Sequence, residues 1–179
     1  MTTIKTTKEL EKEAYDTLKP VFAYKNRLQA PRLVKVVVST GTGKVKDKKK
    51  IEVIEDRLAR ITGQKSAPRG AKKSIASFKV RQGDVVGYQV TLRGARMYDF
   101  LDKFIHISLP RTRDFRGIDA KAIDILGNIT IGIKESTIFP ETADEDLKDV
   151  FGLAVTIVTT AKGKKEAEAF FRHIGVPLK

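Results

Sequence analysis

Side chains suited to acid–base or nucleophilic chemistry are scarce in this chain. It has no cysteine and only two histidines, His106 and His173. The lack of cysteine excludes disulfides, thiolate zinc ligands and cysteine nucleophiles, and it is consistent with a reducing compartment. No serine or carboxylate motif marks a partner for either histidine. The sequence therefore predicts a protein that is not an enzyme.

The segment Gly41-Thr42-Gly43-Lys44 is the nearest approach to a nucleotide-binding motif. Val38 stands where a P-loop requires its first glycine, and Val45 replaces the Ser or Thr that would hold Mg²⁺. The dinucleotide fingerprint fails as well, because Lys46 occupies the position of its third glycine. The sequence also lacks the pattern of an EF-hand. We therefore expect no metal and no cofactor.

Positive charge dominates the composition. The 179 residues include 35 Lys plus Arg against 22 Asp plus Glu, a formal net charge of +13. This excess predicts a polyanionic partner, because each Lys or Arg placed on a phosphate releases a condensed counterion. Anionic lipid is the weaker candidate, since no segment forms a basic amphipathic surface helix or an apolar span. The charged N-terminus lacks the apolar core of a secretory signal, so we expect a cytoplasmic protein and no membrane partner.

The positive charge is concentrated between Gln64 and Arg96. A single acid, Asp84, accompanies eight cations there: Lys65, Arg69, Lys72, Lys73, Lys79, Arg81, Arg93 and Arg96. Any one-sided sheet shows polar residues to water, but ordinary solvation mixes both signs of charge. The segregation favours an anion-binding surface. A second basic run at 44–50 is either a solvated helix start or a functional patch.

The segment from Glu135 to Asp149 has the opposite bias. It contains six acids against one cation, Lys148. Two interpretations fit this bias: an acidic cap on a short surface helix, or a patch that meets a basic protein. Clustered carboxylates also suit Mg²⁺, but their spacing here defines no coordination geometry.

Periodicity and turn residues predict an α+β protein with a single domain over 1–179. The expected helices are 7–19, 47–62, 95–105 and 163–174. The expected strands are 33–40, 75–81, 85–93, 129–134 and 153–160. Gln82-Gly83-Asp84 joins the second and third strands as a hairpin. We expect a mainly antiparallel sheet with helices on one face.

Side-chain alternation predicts which face of that sheet is covered. In the strand at 85–93 the apolar side carries Val86, Tyr88, Val90 and Leu92, and the other side carries Gln89, Thr91 and Arg93. The strand at 75–81 repeats the pattern, with Phe78 and Val80 inward and Ser77, Lys79 and Arg81 outward. The uncovered face is therefore expected to be rich in donors and cations.

Seven segments together resemble one protein family. They are QAPRLVKVVVSTGTG at 29–43, ITGQK at 61–65, AKKSIASFKVRQG at 71–83, VTLRGARM at 90–97, LPRTRDFRG at 109–117, IFPE at 138–141 and GLAVTIVTTA at 152–161. In this order, over nearly the whole chain, they resemble the fifth protein of the bacterial large ribosomal subunit, the family that carries 5S rRNA. The resemblance implies a concave antiparallel sheet backed by helices. It also implies a place in the central protuberance, beside large-subunit rRNA and other large-subunit proteins.

The resemblance implies that the sheet side binds 5S rRNA. Gln64 and Thr91 fall on RNA-contact positions of the family, and Ser39 stands where the family usually has asparagine. Phe78 also falls on a characteristic position, although its alternation places it in the core. Together with the polar face, this predicts a set of 5S rRNA-binding residues: Ser39, Gln64, Lys79, Arg81, Gln89, Thr91 and Arg93.

Two further contacts are implied by the resemblance. The family's long basic loop reaches P-site tRNA and corresponds here to about 69–77, with Arg69, Gly70, Lys72, Lys73 and Ser74 as the contacting residues. The acidic segment resembles the family's intersubunit bridge to the basic head protein thirteen of the small subunit. Its expected bridge residues are Glu141, Asp144, Glu145, Asp146 and Asp149.

Two alternative functions stay open at this point. A free RNA-binding regulator with a similar sheet would stack bases on exposed aromatic side chains. Tyr88 and Phe78 fall on the predicted core face, so their exposure on the open face would favour that alternative. An RNA-processing hydrolase would instead need paired carboxylates inside a basic pocket.

Overall fold

A computed structural model describes residues 5–43, 45, 47–113, 115–142 and 150–179. Among these described residues, the α-helices are α1 (Thr7–Phe22), α2 (Lys48–Thr62), α3 (Ala95–Lys103) and α4 (Lys164–His173). The strands of the described residues are β1 (Leu33–Gly41), β2 (Ala67–Gly70), β3 (Val85–Leu92), β4 (Ile129–Ile133) and β5 (Leu153–Thr159). They form one antiparallel sheet in the order β2-β3-β1-β5-β4. The predicted α+β class is confirmed.

The first helix begins where its sequence predicts and ends later. Thr6 and Glu9 form a capping box, in which the Thr6 backbone N–H donates to the Glu9 carboxylate at 2.9 Å. The predicted stop at Pro20 is wrong, because the helix continues to Phe22. A proline this close to a helix end removes only one backbone donor, and the N–H of Ala23 still closes the last turn on the Lys19 carbonyl at 2.8 Å.

The second helix has the ends that the sequence predicts. The Asp47 carboxylate accepts from the backbone N–H of Lys49 at 3.0 Å. Gly63 ends the helix in the left-handed conformation, with φ at +66°, which a residue without Cβ adopts at no steric cost. Gly63 therefore turns the chain out of α2 at Gln64 and Lys65.

The predicted strand at 75–81 is wrong. Its place beside β3 is taken by β2, in which Ala67 pairs with Gln89 and Arg69 pairs with Gly87. Ile75 and Val80 instead bond to each other, with N···O distances of 3.0 and 3.3 Å, around a short 3-10 turn. Because this local pairing satisfies their backbone groups, the segment folds back on itself rather than extending the sheet. The hairpin into β3 exists, but its first strand is β2.

The chain divides into two compact units. Unit one comprises residues 1–36, 93–131 and 156–179, and unit two comprises 37–92 and 132–155. The expectation of one domain over 1–179 stays a prediction. Across the described ranges, no helix has both the length and the apolar composition needed to cross a membrane.

Unit one is built from α1, α3 and α4. Its core includes Phe104, Phe170 and Phe171, all fully buried. The Asp102 carboxylate accepts from the backbone N–H of Thr7 at 2.7 Å, which ties α3 to the start of α1. Ring atom Nε2 of His173 lies 2.7 Å from the Leu10 carbonyl oxygen and links α4 to α1.

Unit two is built around α2. The side chains of Ile54, Leu58 and Ile61 are buried along one face of this helix. Val38 on β1 and Val90 and Leu92 on β3 are buried in the same unit. One side of these strands is therefore covered, which leaves the other side to carry polar groups.

Candidate nucleic-acid interface

The two faces of β3 and β1 in unit two differ as alternation predicts. Val90 and Leu92 are buried, whereas the alternating residues Gln89 and Thr91 are half-exposed. On β1, Val38 is buried and Ser39 is half-exposed. The predicted polar side of the sheet is therefore accessible at these positions.

Tyr88 lies on the predicted inner side of β3 but is only half-buried. Burial raises the pKa of its phenol, and the nearby carboxylates of Glu55 and Glu52 raise it further. Tyr88 alternates in step with the buried residues Val90 and Leu92, so it lies on the covered side of the strand. Tyr88 is therefore not a stacking platform on the open face.

Gln64 and Thr91 are neighbours in the structure. The Gln64 side chain donates from Nε2 to the main-chain carbonyl of Thr91 at 3.4 Å. The Thr62 hydroxyl donates to the carbonyls of Leu58, at 2.7 Å, and Gln64, at 3.1 Å, which fixes the exit from α2. The left-handed Gly63 and this hydroxyl together hold the Gln64 amide against the end of β3.

Arg69 and Gln89 form a second polar pair. Atom Nε of Arg69 donates to the Gln89 side-chain oxygen at 2.7 Å across the β2–β3 pairing. Arg69 is exposed and Gln89 is half-exposed. An arginine in this position presents further N–H groups for a phosphate. Arg93, which follows β3 and belongs to unit one, is also exposed.

The basic loop begins later than the sequence predicts. Arg69 and Gly70, expected at the start of a loop at 69–77, are the last residues of β2. The loop runs from 71 to 84, and its neck is closed by backbone bonds from Ala71 to Asp84, at 2.8 Å, and from Gly83 to Ala71, at 2.9 Å. The loop is therefore an insertion in the β2–β3 hairpin whose two ends are hydrogen-bonded to each other.

Four exposed cations lie on this loop: Lys72, Lys73, Lys79 and Arg81. The expected outward position of Lys79 and Arg81 on a sheet strand is wrong, because the strand at 75–81 does not form. The Asp84 carboxylate accepts from the backbone N–H of Arg81 at 2.8 Å, and the Ser74 hydroxyl accepts from that of Gln82 at 2.9 Å. These bonds order the loop around its cations.

Phe78 is the functional candidate that sequence reasoning placed wrongly. Its side chain is 74% exposed and lies on the loop, where a core position was expected. Ile75 beside it is 46% exposed. The period-two pattern that suggested a strand is equally satisfied by a turn whose ends pair with each other. The signals in the sequence that pointed to a role for this aromatic side chain were its flanking cations and its place on a characteristic position of the resembled family.

The acidic segment is described only in part. Glu141 is exposed on a short turn, Pro140–Thr142. The expected bridge residues Asp144, Glu145, Asp146 and Asp149 lie outside the described residues, as do Lys44 and Lys46 of the second basic run.

The described part of the chain holds no cluster of side chains suited to bind a metal ion. His106 is exposed, and His173 contacts a backbone carbonyl. In the ranges that the structure describes, no three His, Asp or Glu side chains could together hold a metal ion. The paired carboxylates required by the hydrolase alternative do not occur among the residues of the open face described above.

Two family models match the chain in succession. Residues 26–81 match the model described as ribosomal protein L5, and residues 85–178 match the one described as the C-terminus of that ribosomal family. The chain belongs to the ribosomal protein L5 family. Residues 82–84 separate the two matched regions, at the point where the basic loop returns to β3.

Relatives in this L5 family cover almost the whole chain. Large ribosomal subunit protein uL5 of Anaeromyxobacter sp. (strain K) is 45% identical over 174 residues, which is 94% of this chain and 97% of the relative. The protein of the same name from Heliobacterium modesticaldum is 50% identical over 159 residues, 88% of each chain. That from Pelobacter propionicus is 46% identical over 169 residues, 94% of each chain.

Family membership determines the general role. As an L5-family member the chain is a structural, non-enzymatic and RNA-binding constituent of the large ribosomal subunit, and it works in the cytoplasm. Ribosomal RNA and other large-subunit proteins are its partners. The predicted family and the expectation of a non-enzyme are confirmed.

Proposed function

We propose that the polar sheet face of unit two binds 5S rRNA, and that the chain thereby helps to attach 5S rRNA to the central protuberance of the large subunit. The observation that carries this proposal is the placement of Gln64 against Thr91 at the end of β3. Both were expected to contact RNA from the family resemblance, and the fold brings them together. Arg69 and Gln89 extend the same surface with a cation and an amide.

The chemistry of this face suits structured RNA. Double-stranded RNA is recognised by its shape and through phosphates and 2′-hydroxyl groups rather than base edges. Amide and hydroxyl side chains can pair with a 2′-hydroxyl, which both donates and accepts, while Arg69 neutralises a phosphate. Ser39 offers a shorter hydroxyl where the family has an amide. The half-exposed side chains of this face are accessible to a duplex.

We propose that the loop at 71–84 contacts P-site tRNA. Its four cations would hold phosphates, and the 74%-exposed Phe78 would stack on a base or sugar. Lys79 and Arg81, which were expected on the 5S rRNA face, belong to this contact instead. The closed neck of the loop allows its tip to reach a partner without disturbing β2 and β3.

We also propose that the acidic edge forms an intersubunit bridge to the head protein thirteen of the small subunit. Glu141 is exposed, so a basic partner can reach its carboxylate. The remaining bridge residues are proposed from the charge of the segment alone. Charge reversal at Glu141 should weaken subunit joining at low salt, and unchanged association would contradict the bridge.

The free RNA-binding regulator is the second candidate, and one observation favours it. Phe78 is exposed, as an aromatic stacking residue would be. However, it lies on a loop rather than on the sheet, and Tyr88 lies on the covered side of β3. Neither side chain makes the sheet into a stacking platform. Membership of a ribosomal family favours the ribosomal role.

The deciding experiment is capture of RNA from a lysate by the purified chain. We expect 5S rRNA to be enriched over tRNA. The proposed 5S rRNA contact uses the sheet face, whereas the proposed tRNA contact uses the loop at 71–84 alone. Arg69→Gln should reduce that enrichment, whereas Lys25→Gln, an exposed cation in unit one, should leave it unchanged. Equal capture of both RNAs, or equal effects of both variants, would contradict the proposal.

A further inference from the structure

A second cationic site lies in unit one, and none of its lining residues has been assigned to the contacts proposed for the sheet face, the loop or the acidic edge. It is a pocket of about 310 Å³ between α1, the segment 27–32 and α3, called here the α1–α3 pocket. Four cations line it: Lys8, Lys12, Arg27 and Arg32. Its volume is at the lower end of the range for small-molecule sites, about 300–1,000 Å³.

The cations of the α1–α3 pocket are held on ordered backbone. Lys8 and Lys12 are one helical turn apart on α1, so their side chains share one face. Arg27 donates from its guanidinium to the Lys12 carbonyl at 3.2 Å. The backbone of Arg32 is fixed by Thr160, which accepts from its N–H and donates to its carbonyl, both at 2.9 Å. The four cations therefore line one cavity and are carried on ordered backbone.

One acid, Glu11, also lines the pocket, and its carboxylate is already engaged. It accepts the hydroxyl of Tyr98 at 2.8 Å. Burial raises the pKa of Glu11, while the bonds from Tyr98 and the Leu33 backbone oppose that rise. Burial and the Glu11 carboxylate raise the pKa of Tyr98 to about 12, so the phenol remains a donor at neutral pH. One engaged carboxylate against four cations leaves the pocket strongly positive.

Two tyrosines give the pocket a flat apolar component. Tyr15 lies one helical turn beyond Lys12 on α1, and Tyr98 enters from α3. Aromatic rings of this kind provide stacking surfaces for bases, which every nucleotide can use because every base has a π-face. A site with several cations beside aromatic rings matches a nucleotide better than a bare inorganic anion.

We propose that the α1–α3 pocket binds a nucleotide phosphate, with the phosphate on Lys8, Lys12, Arg27 and Arg32 and the base or sugar against Tyr15. The nucleotide comes either from an unpaired position of an RNA or from the free pool. This site does not depend on the proposed 5S rRNA face, since none of its residues belongs to that face. The pocket concentrates like charge, and a bound phosphate relieves the resulting repulsion.

The test is a residue-resolved NMR titration of the full chain with uridine monophosphate, a short oligouridylate and inorganic phosphate. We expect saturable shifts of the Ala30 and Arg32 amides and the Tyr15 and Tyr98 rings. Binding of the oligomer about tenfold more tightly than the monomer would identify RNA as the source, because neighbouring phosphates add contacts. Equal binding would identify a free nucleotide. The Thr91 and Gln89 amides report separately on the sheet face.

Variants complete the test. Lys8→Gln combined with Arg32→Gln should weaken nucleotide binding about tenfold or more, because two charge-assisted contacts are lost. Lys25→Gln, an exposed cation outside the pocket, should change it less than about twofold. Glu11→Gln should strengthen binding, which a purely structural role of the pocket would not produce. Absence of saturable shifts at the pocket, or equal effects of the pocket and control variants, would overturn the proposal.

Discussion

The Gln64 side chain donates from Nε2 to the main-chain carbonyl of Thr91 at 3.4 Å, which joins the exit of α2 to the end of β3. The two residues are 27 positions apart in the chain. Their contact holds the Gln64 amide against the backbone of Thr91, whose side chain is half-exposed. This pair is the centre of the proposed 5S rRNA contact, and it supports the first prediction.

Thr91→Val should weaken 5S rRNA binding about fivefold, because one hydrogen bond contributes about 1 kcal/mol. Valine keeps the shape and β-propensity of threonine, so the melting temperature should change little. The measurement is a filter-binding titration with 5S rRNA at fixed salt. Thr17→Val on α1, which also loses a hydroxyl but lies outside the sheet, is the control. Identical affinities of the two variants would count against the face.

Phe78→Ala should leave the fold intact and weaken tRNA binding. A side chain that is 74% exposed buries little surface, so its truncation costs little stability. Loss of one stacking contact should cost about 1–3 kcal/mol in tRNA affinity. Binding of P-site tRNA to reconstituted ribosomes and of isolated 5S rRNA would be measured in parallel. A drop in 5S rRNA affinity with unchanged tRNA binding would reverse the proposed division of roles.

Gly87→Ala should destabilise the protein by about 1–3 kcal/mol. A Cβ at Gly87 would lie 2.6 Å from the Thr40 carbonyl oxygen on β1, so the strands would have to separate. Gly132→Ala on β4 is a matched control, since a Cβ there meets nothing within 4 Å. Urea unfolding of both variants checks this. A smaller loss for Gly87→Ala than for Gly132→Ala would show that the strand approach is not tight.

Glu11 and Glu9 should make opposite contributions to the pH dependence of stability. Burial raises the pKa of Glu11 above its ordinary value of 4.5. The folded state therefore holds this proton more tightly, and the stabilisation is full below 4.5 and is lost as pH rises through the raised folded pKa. Hydrogen bonds from the Thr6 backbone and side chain lower the pKa of Glu9, so its contribution is present above 4.5 and is lost at lower pH.

The measurement is the free energy of unfolding across the acid-to-neutral range for Glu11→Gln and Glu9→Gln. Relative to the unmodified chain, Glu11→Gln should gain stability as pH rises above 4.5, whereas Glu9→Gln should lose stability as pH rises toward 4.5 and change little beyond it. Glutamine keeps an acceptor oxygen at both positions, so hydrogen bonding is largely retained. Curves that shift in the same direction would contradict the assigned burial of Glu11.

Capping and turn residues predicted most of the element boundaries, because these elements carry their own start and stop signals in the sequence. Asp47 and Gly63 delimit α2, and the Thr6–Glu9 capping box starts α1. Alternation located the polar side of β3, since burial on one face imposes a period of two. These features depend on neighbours in sequence, which the sequence displays directly.

The sequence by itself determined the family, the charge segregation and the two-sided character of β3. Only the tertiary structure decided which segment pairs with β3, and it chose Ala67–Gly70 rather than 75–81. An alternating stretch is compatible both with a strand and with a turn whose ends bond to each other. The α1–α3 pocket likewise has no sequence signature, because its lining comes from segments at 8–15, 27–32 and 98. Such sites exist only when packing brings distant side chains within reach of one ligand.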